Sequence, residues 1–304
     1  MILRLLADDL TGALDSAARF VPLVGPIPVQ WMPTDVGGSA AFDMGTREAT
    51  PDVARQTAQD WARLLLGADI AFKKIDSLLR GHVDAELSAC LPLFDRCVLA
   101  PAFPHQGRIT RAGRQWARGP DGWNDTGVTP AHPMLDAETD ADLLAIVARE
   151  RAAAGRILWC GTGGLAGALA GGRPIPRPDL PKPVLALIGS NHPVSLRQLA
   201  RAPDAVTATI PDGTAPRDAQ RLIVETFVAR LSNGARAGTW VISGGETLRA
   251  LCLALGARAL MVDGEVEPGI PTAILLGGDW DGQRVVSKSG AFGDDLFLAR
   301  LLGV

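Results

Sequence analysis

Short apolar runs alternate with longer stretches of helical periodicity along most of the chain, and this alternation constrains the fold more than any other feature. Residues 2–6, 69–76 and 97–101 have the length expected of buried strands. Residues 11–24 follow the first run and repeat apolar side chains at helical spacing. Because strand–helix alternation is typical of parallel sheets covered by helices, the sequence predicts an α/β fold with mostly parallel sheets flanked by helices.

The chain is long enough for two domains, since 304 residues exceed what one hydrophobic core usually organises. Prolines recur between residues 173 and 183, where they disfavour both helix and central strand. We therefore predict an N-terminal domain over 1–172, a linker over 173–183 and a C-terminal domain over 184–304. A strand over 206–210 and a long polar loop over 103–133, functional or lid-like, are also expected.

The composition excludes several classes of partner. Hydrophobic residues make up 47% of the chain, charged residues 21%, and the net charge is -3. Nucleic acids and anionic membranes require a basic face, so neither is expected as a partner. No apolar run is long enough to span a membrane. The four cysteines lie in apolar sequence without metal-ligand spacing and indicate free thiols, as in a reducing cytoplasm: Cys90, Cys97, Cys160 and Cys252.

Two carboxylates follow the first strand directly. Asp8 and Asp9 are expected at the carboxyl edge of a parallel sheet, where such folds bind ligands. One of them could deprotonate a substrate hydroxyl, and the other could bind magnesium or a second hydroxyl. The alternative is that Asp9 only caps the following helix.

A second polar cluster follows the strand at 69–76. Arg80 could hold a carboxylate through two parallel hydrogen bonds, and Lys74 could act as a point charge. The alternative is a solvated strand end at which Asp76 pairs with a neighbouring lysine.

Small residues follow three strands of the C-terminal half. They lie near Ser190, over 244–247 and near Gly290. A glycine turn that leads into a helix exposes backbone amides and can bind an anion. Each turn alone is more often ordinary turn chemistry, but together with the carboxylates they suggest phosphoryl transfer to a small polar substrate.

These motifs together resemble the four-carbon acid sugar kinase family. They occur in the family's order and span nearly the whole chain: ADDLTG at 7–12, KKIDS at 73–77, LRG at 79–81, APAFP at 100–104, QGR at 106–108, SGGET at 243–247, GEVEPGIP at 264–271 and KSGAFG at 288–293.

The resemblance implies two domains with the active site in the cleft between them, and transfer of the γ-phosphoryl group of ATP, with Mg²⁺, to the terminal hydroxyl of threonate, erythronate or a 3-oxo-tetronate. It assigns catalysis to Asp8 and Asp9, and it makes Leu78 a departure from a small hydroxyl residue. The implied sugar-acid ligands are Arg47, Lys74, Asp76 and Arg80, and the implied ATP ligands are Ser190, Gly244, Gly245, Glu246, Thr247 and Gly290.

Other readings remain open at this point. The chain could phosphorylate a different small hydroxy acid, or it could sense nucleotide or sugar acid without turnover. The sequence leaves the metal ligands and the oligomeric state open, a homodimer included.

Overall fold

A computed structural model describes residues 1–34, 37–208, 210–234 and 236–304. The chain forms two compact units, unit 1 over Met1–Ile175 and unit 2 over Pro176–Val304. Among the described residues, no helix is long and apolar enough to cross a membrane.

Unit 1 is built on a parallel sheet of six strands in the order β2-β3-β1-β4-β9-β5. Its strands are β1 (Leu3–Ala7), β2 (Ile27–Gln30), β3 (Ala40–Asp43), β4 (Ile70–Lys74), β5 (Arg96–Ala100) and β9 (Ile157–Gly161). Its helices are α1 (Leu10–Val24), α2 (Pro51–Trp61), α3 (Val83–Cys90), α4 (Asp140–Arg151) and α5 (Gly163–Leu169). Strand β1 is buried along its whole length, as expected of a strand inside a parallel sheet.

The prediction of a long loop over 103–133 is wrong for much of this segment, because it contains a three-stranded antiparallel sheet. Its strands are β6 (Arg108–Arg111), β7 (Arg114–Gly119) and β8 (Gly122–Asp125). Ala112 and Gly113, with φ angles of 52° and 69°, connect β6 and β7. A two-residue connection with positive φ at both positions matches the twist of a hairpin, which explains why this polar segment pairs with itself.

Unit 2 has a five-stranded sheet in the order β10-β11-β14-β13-β12. Its strands are β10 (Val184–Ile188), β11 (Thr239–Ser243), β12 (Ala259–Glu267), β13 (Ile270–Leu276) and β14 (Arg284–Lys288). Strands β10, β11 and β14 run parallel, whereas β12, β13 and β14 pair antiparallel. Its helices are α6 (Pro193–Leu199), α7 (Pro216–Asn233), α8 (Gly245–Ala254) and α9 (Phe297–Leu302).

These elements confirm the predicted α/β class. The strand expected over 206–210 is not formed among its described residues, because only an isolated bridge joins Val206 to Leu187, and residue 209 lies outside the described residues.

Candidate active site

The predicted polar residues of unit 1 meet at one edge of its parallel sheet. Asp8 and Asp9 follow β1, whose last residue Ala7 pairs with Asp43 of β3 and with Lys74 of β4. Parallel strands present their carboxyl ends at the same edge, so residues that follow them are brought together. We call Asp8, Asp9, Arg47, Lys74, Asp76 and Arg80 the acidic edge.

Arg47 is the centre of the acidic edge. Its guanidinium donates hydrogen bonds to both oxygens of Asp8, with Nη2 lying 2.8 Å from Oδ1. Nη2 also lies 2.8 Å from Oδ1 of Asp9, and Nη1 lies 3.2 Å from Oδ1 of Asp76. The side chain is 11% exposed. One planar cation therefore fixes three carboxylates in a largely dry environment, which suits a guanidinium better than an ammonium.

Asp76 shapes the turn that carries Arg80. Its Oδ2 accepts backbone hydrogen bonds from Leu78 at 3.0 Å and Arg80 at 3.2 Å. Nε and Nη2 of Arg80 also donate to Asp76, at 2.9 Å and 2.8 Å. Leu79, buried, has a φ angle of 61°, so the turn uses a left-handed conformation that leucine seldom adopts. The alternative, in which Asp76 pairs with a neighbouring lysine, is wrong, because its ion pairs are with Arg47 and Arg80.

The two carboxyls that follow β1 differ in acidity. Burial raises the pKa of Asp8, but the hydrogen bonds and charge of Arg47 outweigh burial and hold that pKa below its usual value. For Asp9, burial and the neighbouring charge of Asp8 outweigh Arg47, so its pKa is raised. Asp9 also caps α1, because its Oδ1 accepts the amide hydrogen of Gly12 at 3.1 Å. Its Oδ2 accepts no hydrogen bond from the described residues.

Lys74 is a buried cation without an ion pair among the described residues. Its Nζ donates to the carbonyl of Ile75 at 2.8 Å. A Cβ atom at Gly12 would lie 2.7 Å from this Nζ and 2.6 Å from Oδ1 of Asp9, so glycine at 12 makes room for both side chains. The ammonium retains donors for a ligand beside the acidic pair.

A buried ion pair that no sequence pattern indicated lies beneath the acidic edge. Nζ of Lys73 lies 2.6 Å from Oε2 of Glu86 on α3, and the two side chains are 0% and 1% exposed. The hydroxyl of Thr46, which precedes Arg47, donates to the other oxygen of Glu86. The pair therefore fixes the backbone that carries Arg47. An acidic residue in the first turn of a helix is usually exposed and interacts favourably with the helix dipole. The sequence therefore gives no sign that Glu86 is buried in an ion pair.

Arg108 was also missed as a site residue. Its Nη1 donates to the carbonyls of Gln106 and Gly107, its Nε is buried without a partner, and no ion pair holds it among the described residues. Burial and the charge of Arg80 lower its pKa, against the opposing charge of Asp76. The antiparallel sheet that carries Arg108 is held near the acidic edge by Gln115, whose Nε2 lies 2.9 Å from the carbonyl of Ser77.

In unit 2, the three predicted small-residue turns meet after β10, β11 and β14. A Cβ atom at Gly189 would lie 2.2 Å from Oγ1 of Thr247, and one at Gly290 would lie 2.2 Å from Oγ of Ser190. Gly244 has a φ angle of 110°, and its amide donates to the carbonyl of Lys288 at 3.0 Å. These contacts bring the turns into close approach. We call Ser190, Gly244, Gly245, Thr247 and Gly290 the glycine edge.

Glu246 lies in the first turn of α8 with an exposed side chain, and its carbonyl accepts a hydrogen bond from Gln220 at 3.1 Å. Among the described residues, no three histidine, cysteine, aspartate or glutamate side chains are arranged to hold a metal ion.

Comparison with known proteins assigns each unit a domain type. The model of a sugar-binding N-terminal domain matches residues 3–135, and that of a nucleotide-binding C-terminal domain matches residues 211–298. The chain belongs to the four-carbon acid sugar kinase family. The acidic edge lies within the first matched segment, and residues 244–290 of this family member lie within the second. The resemblance found in the sequence is thereby confirmed.

Relatives of known name align with this family member over different shares of its length. It is 28% identical to a D-threonate kinase of Cupriavidus necator, over 97% of the chain and 95% of that relative. It is 32% identical to a 3-oxo-tetronate kinase of Pseudomonas fluorescens, over 27% of the chain and 19% of that relative. A solved structure from Salmonella typhimurium LT2 matches with a TM-score of 0.71 at 18% identity and covers 98% of both chains, which shows the fold.

Proposed function

We propose that this protein transfers the γ-phosphoryl group of ATP to the terminal hydroxyl of a four-carbon sugar acid. The observation that carries the proposal is that Asp9, which has a raised pKa and a free oxygen, lies with the buried ammonium of Lys74 beside Gly12, and that this ammonium forms no ion pair among the described residues. A carboxylate that can accept a proton beside a cation that can bind an acid is what such a substrate requires. The relatives named as kinases of D-threonate and 3-oxo-tetronate support this substrate class.

In the proposed reaction, Asp9 is the general base. The substrate hydroxyl oxygen forms a bond to the γ-phosphorus while the bond from that phosphorus to the β–γ bridging oxygen breaks, and ADP leaves. Oδ2 of Asp9 takes the hydroxyl proton. Arg47, which is itself fixed by hydrogen bonds to Asp8, donates to Asp9 and keeps it in place, so the base needs no rearrangement during the transfer.

We propose that cations with spare donors hold the substrate carboxylate. Arg47 is committed to three carboxylates, so its part is to orient them. Lys74 has spare donors, and Arg80 is exposed, with an Nη1 that donates no hydrogen bond to the described residues. Arg108 offers a third cation to the same region. Both oxygens of Asp76 already accept hydrogen bonds, so its part is to orient Arg80. Leu78 removes a hydrogen bond that a small hydroxyl residue could make.

The nucleotide is proposed to bind the glycine edge of unit 2, with Glu246 near its ribose or phosphates. Closely packed turns that lack bulky side chains let backbone amides approach phosphate oxygens. Mg²⁺ commonly takes one or two carboxylates beside the phosphates of a nucleotide, so we propose that it would bind together with ATP. The buried and half-buried free thiols suit a reducing cytoplasm, which is the location we propose. The assembly we propose is a homodimer.

A substrate panel tests the proposal. ADP release is measured with the enantiomers of threonate, erythronate and 3-oxo-tetronate, and with smaller hydroxy acids as controls. Turnover restricted to four-carbon acids supports the proposal, and turnover of another hydroxy acid corrects the substrate class. Tight binding of an acid in a calorimetric titration, without any ADP release, would identify a sensor instead of a kinase. Sedimentation velocity on the same sample measures the oligomeric state.

A further inference from the structure

We infer that Lys288 is a positioning residue for the nucleotide, which holds the glycine edge together and offsets the charge of bound phosphate from beneath it. The inference rests on the proposed nucleotide binding to unit 2. It concerns a side chain that the proposed mechanism does not use.

The ammonium of Lys288 joins the turns of the glycine edge. Its Nζ lies 3.0 Å from the carbonyl oxygen of Ser289 and 3.4 Å from that of Gly290. It also lies 3.4 Å from Oγ of Ser195 on α6 and 3.5 Å from Oγ of Ser243, the last residue of β11. Ser195 donates in turn to the carbonyl of Gly290 at 3.0 Å. One cation thus connects the strand ends of β11 and β14 to the helix that follows β10.

No carboxylate neutralises this ammonium among the described residues. The side chain of Lys288 is 0% exposed, and its contacts are neutral hydroxyls and carbonyls. Burial of an ammonium without a counter-charge is unfavourable, which is why burial lowers the pKa of Lys288 to about 8. A buried charge that persists without a protein partner indicates an anion as its partner in the liganded protein.

The charged groups of the surrounding elements do not supply that anion. The carboxylate of Asp295 is already paired with Arg197 of α6, and the neighbouring imidazole of His192 carries no negative charge. Glu246 at the start of α8 is exposed and forms no ion pair with Lys288. A phosphate bound at the amides of Gly245, the first residue of α8, and of Gly290 would be the nearest negative charge, separated from Nζ by the turn itself.

The first experiment measures ADP affinity by isothermal titration calorimetry at pH 7.5. Lys288→Met keeps most of the side-chain volume and removes the charge, so the affinity is expected to fall about tenfold or more. Lys182→Met is the matched control, because Lys182 is an exposed lysine of unit 2 that donates to the carbonyl of Leu301. The ADP affinity of Lys182→Met is expected to equal that of the wild type. Equal affinities for the Lys288→Met and wild-type proteins would overturn the inference.

The second experiment uses the wild-type protein and decides the matter if Lys288→Met does not fold. Binding of an anion above Lys288 favours its charged form. ADP binding at pH 9 should therefore take up as much as about 0.9 proton, the fraction that a group with a pKa of about 8 lacks at that pH. Titrations in two buffers with different ionisation enthalpies measure this uptake. Absence of uptake at pH 9 contradicts the inference.

ADP titrations involve no phosphoryl acceptor. Absence of turnover with every acid would refute the proposed reaction alone, whereas unchanged ADP affinity in Lys288→Met would refute only the role of Lys288. Wild-type protein that binds no ADP would overturn both.

Discussion

The buried pair beneath the acidic edge allows a demanding test of how packing supports the site. Lys73→Met leaves the carboxylate of Glu86 buried with the hydroxyl of Thr46 as its remaining partner. The pair is 2.6 Å long, and both side chains are at most 1% exposed. Removing one partner of a buried ion pair costs about 3–5 kcal/mol, because the other charge stays in a medium that solvates it poorly. We expect a loss of this size in the free energy of unfolding of unit 1.

The second mutation is the decisive one. Glu86→Gln in the Lys73→Met background removes the stranded charge and keeps a side-chain oxygen for the hydroxyl of Thr46. The double variant should therefore be more stable than Lys73→Met alone, with a coupling free energy of about 1–3 kcal/mol. Because Thr46 precedes Arg47, turnover should fall in Lys73→Met and recover in part in the double variant.

Hydrogen exchange measured by mass spectrometry on peptides from β1, β4 and α3 reports the opening of unit 1 separately from that of unit 2. Arg55→Met is the control, because its pair with Asp52 is exposed and should contribute no measurable stability. Two results would contradict this reasoning: a Lys73→Met protein as stable as the wild type, or a double variant less stable than Lys73→Met. Either would show that Lys73 does not stabilise the buried carboxylate of Glu86.

Three further predictions concern the two edges. Asp9→Asn should lower kcat by about 10²–10⁴-fold and leave ADP affinity unchanged, since it removes only the proposed base; steady-state kinetics and ADP titration check this. In the wild type, kcat/KM should fall as the pH drops through the raised pKa of Asp9, above the usual value of about 3.9, and a pH–rate profile with its midpoint below that value contradicts the assignment. Gly189→Ala should weaken ADP binding, because its Cβ would lie 2.2 Å from Oγ1 of Thr247, whereas Gly38→Ala, at an open position without a positive φ, should not; calorimetry compares the two.

Local patterns determined the elements on which the candidate site stands. The apolar run over 2–6 and the carboxylates directly after it are read from neighbouring residues, since period and capping act within a few positions. The capping of α1 by Asp9 was also foreseen from neighbouring residues, whereas the catalytic role of its other oxygen stays a prediction. It also located the small-residue turns, because a turn between a strand and a helix is a short-range feature.

Local reasoning failed for the segment over 103–133. Its strands are rich in arginine and glycine and lack a continuous apolar face, so the polar composition indicated a loop. The one local signal was Ala112-Gly113, a pair whose positive φ angles close the hairpin between β6 and β7.

The sequence by itself determined the strand–helix order, the strand-end carboxylates and the glycine turns, because these depend on residues close together in the chain. Only the tertiary structure decided which charges meet. Arg47 reaches Asp8 across 39 positions, and Lys288 reaches Ser195 across 93. The strand order decides which side chains lie close together, and burial decides which charges need a partner. Neither can be read from the spacing of residues along the chain.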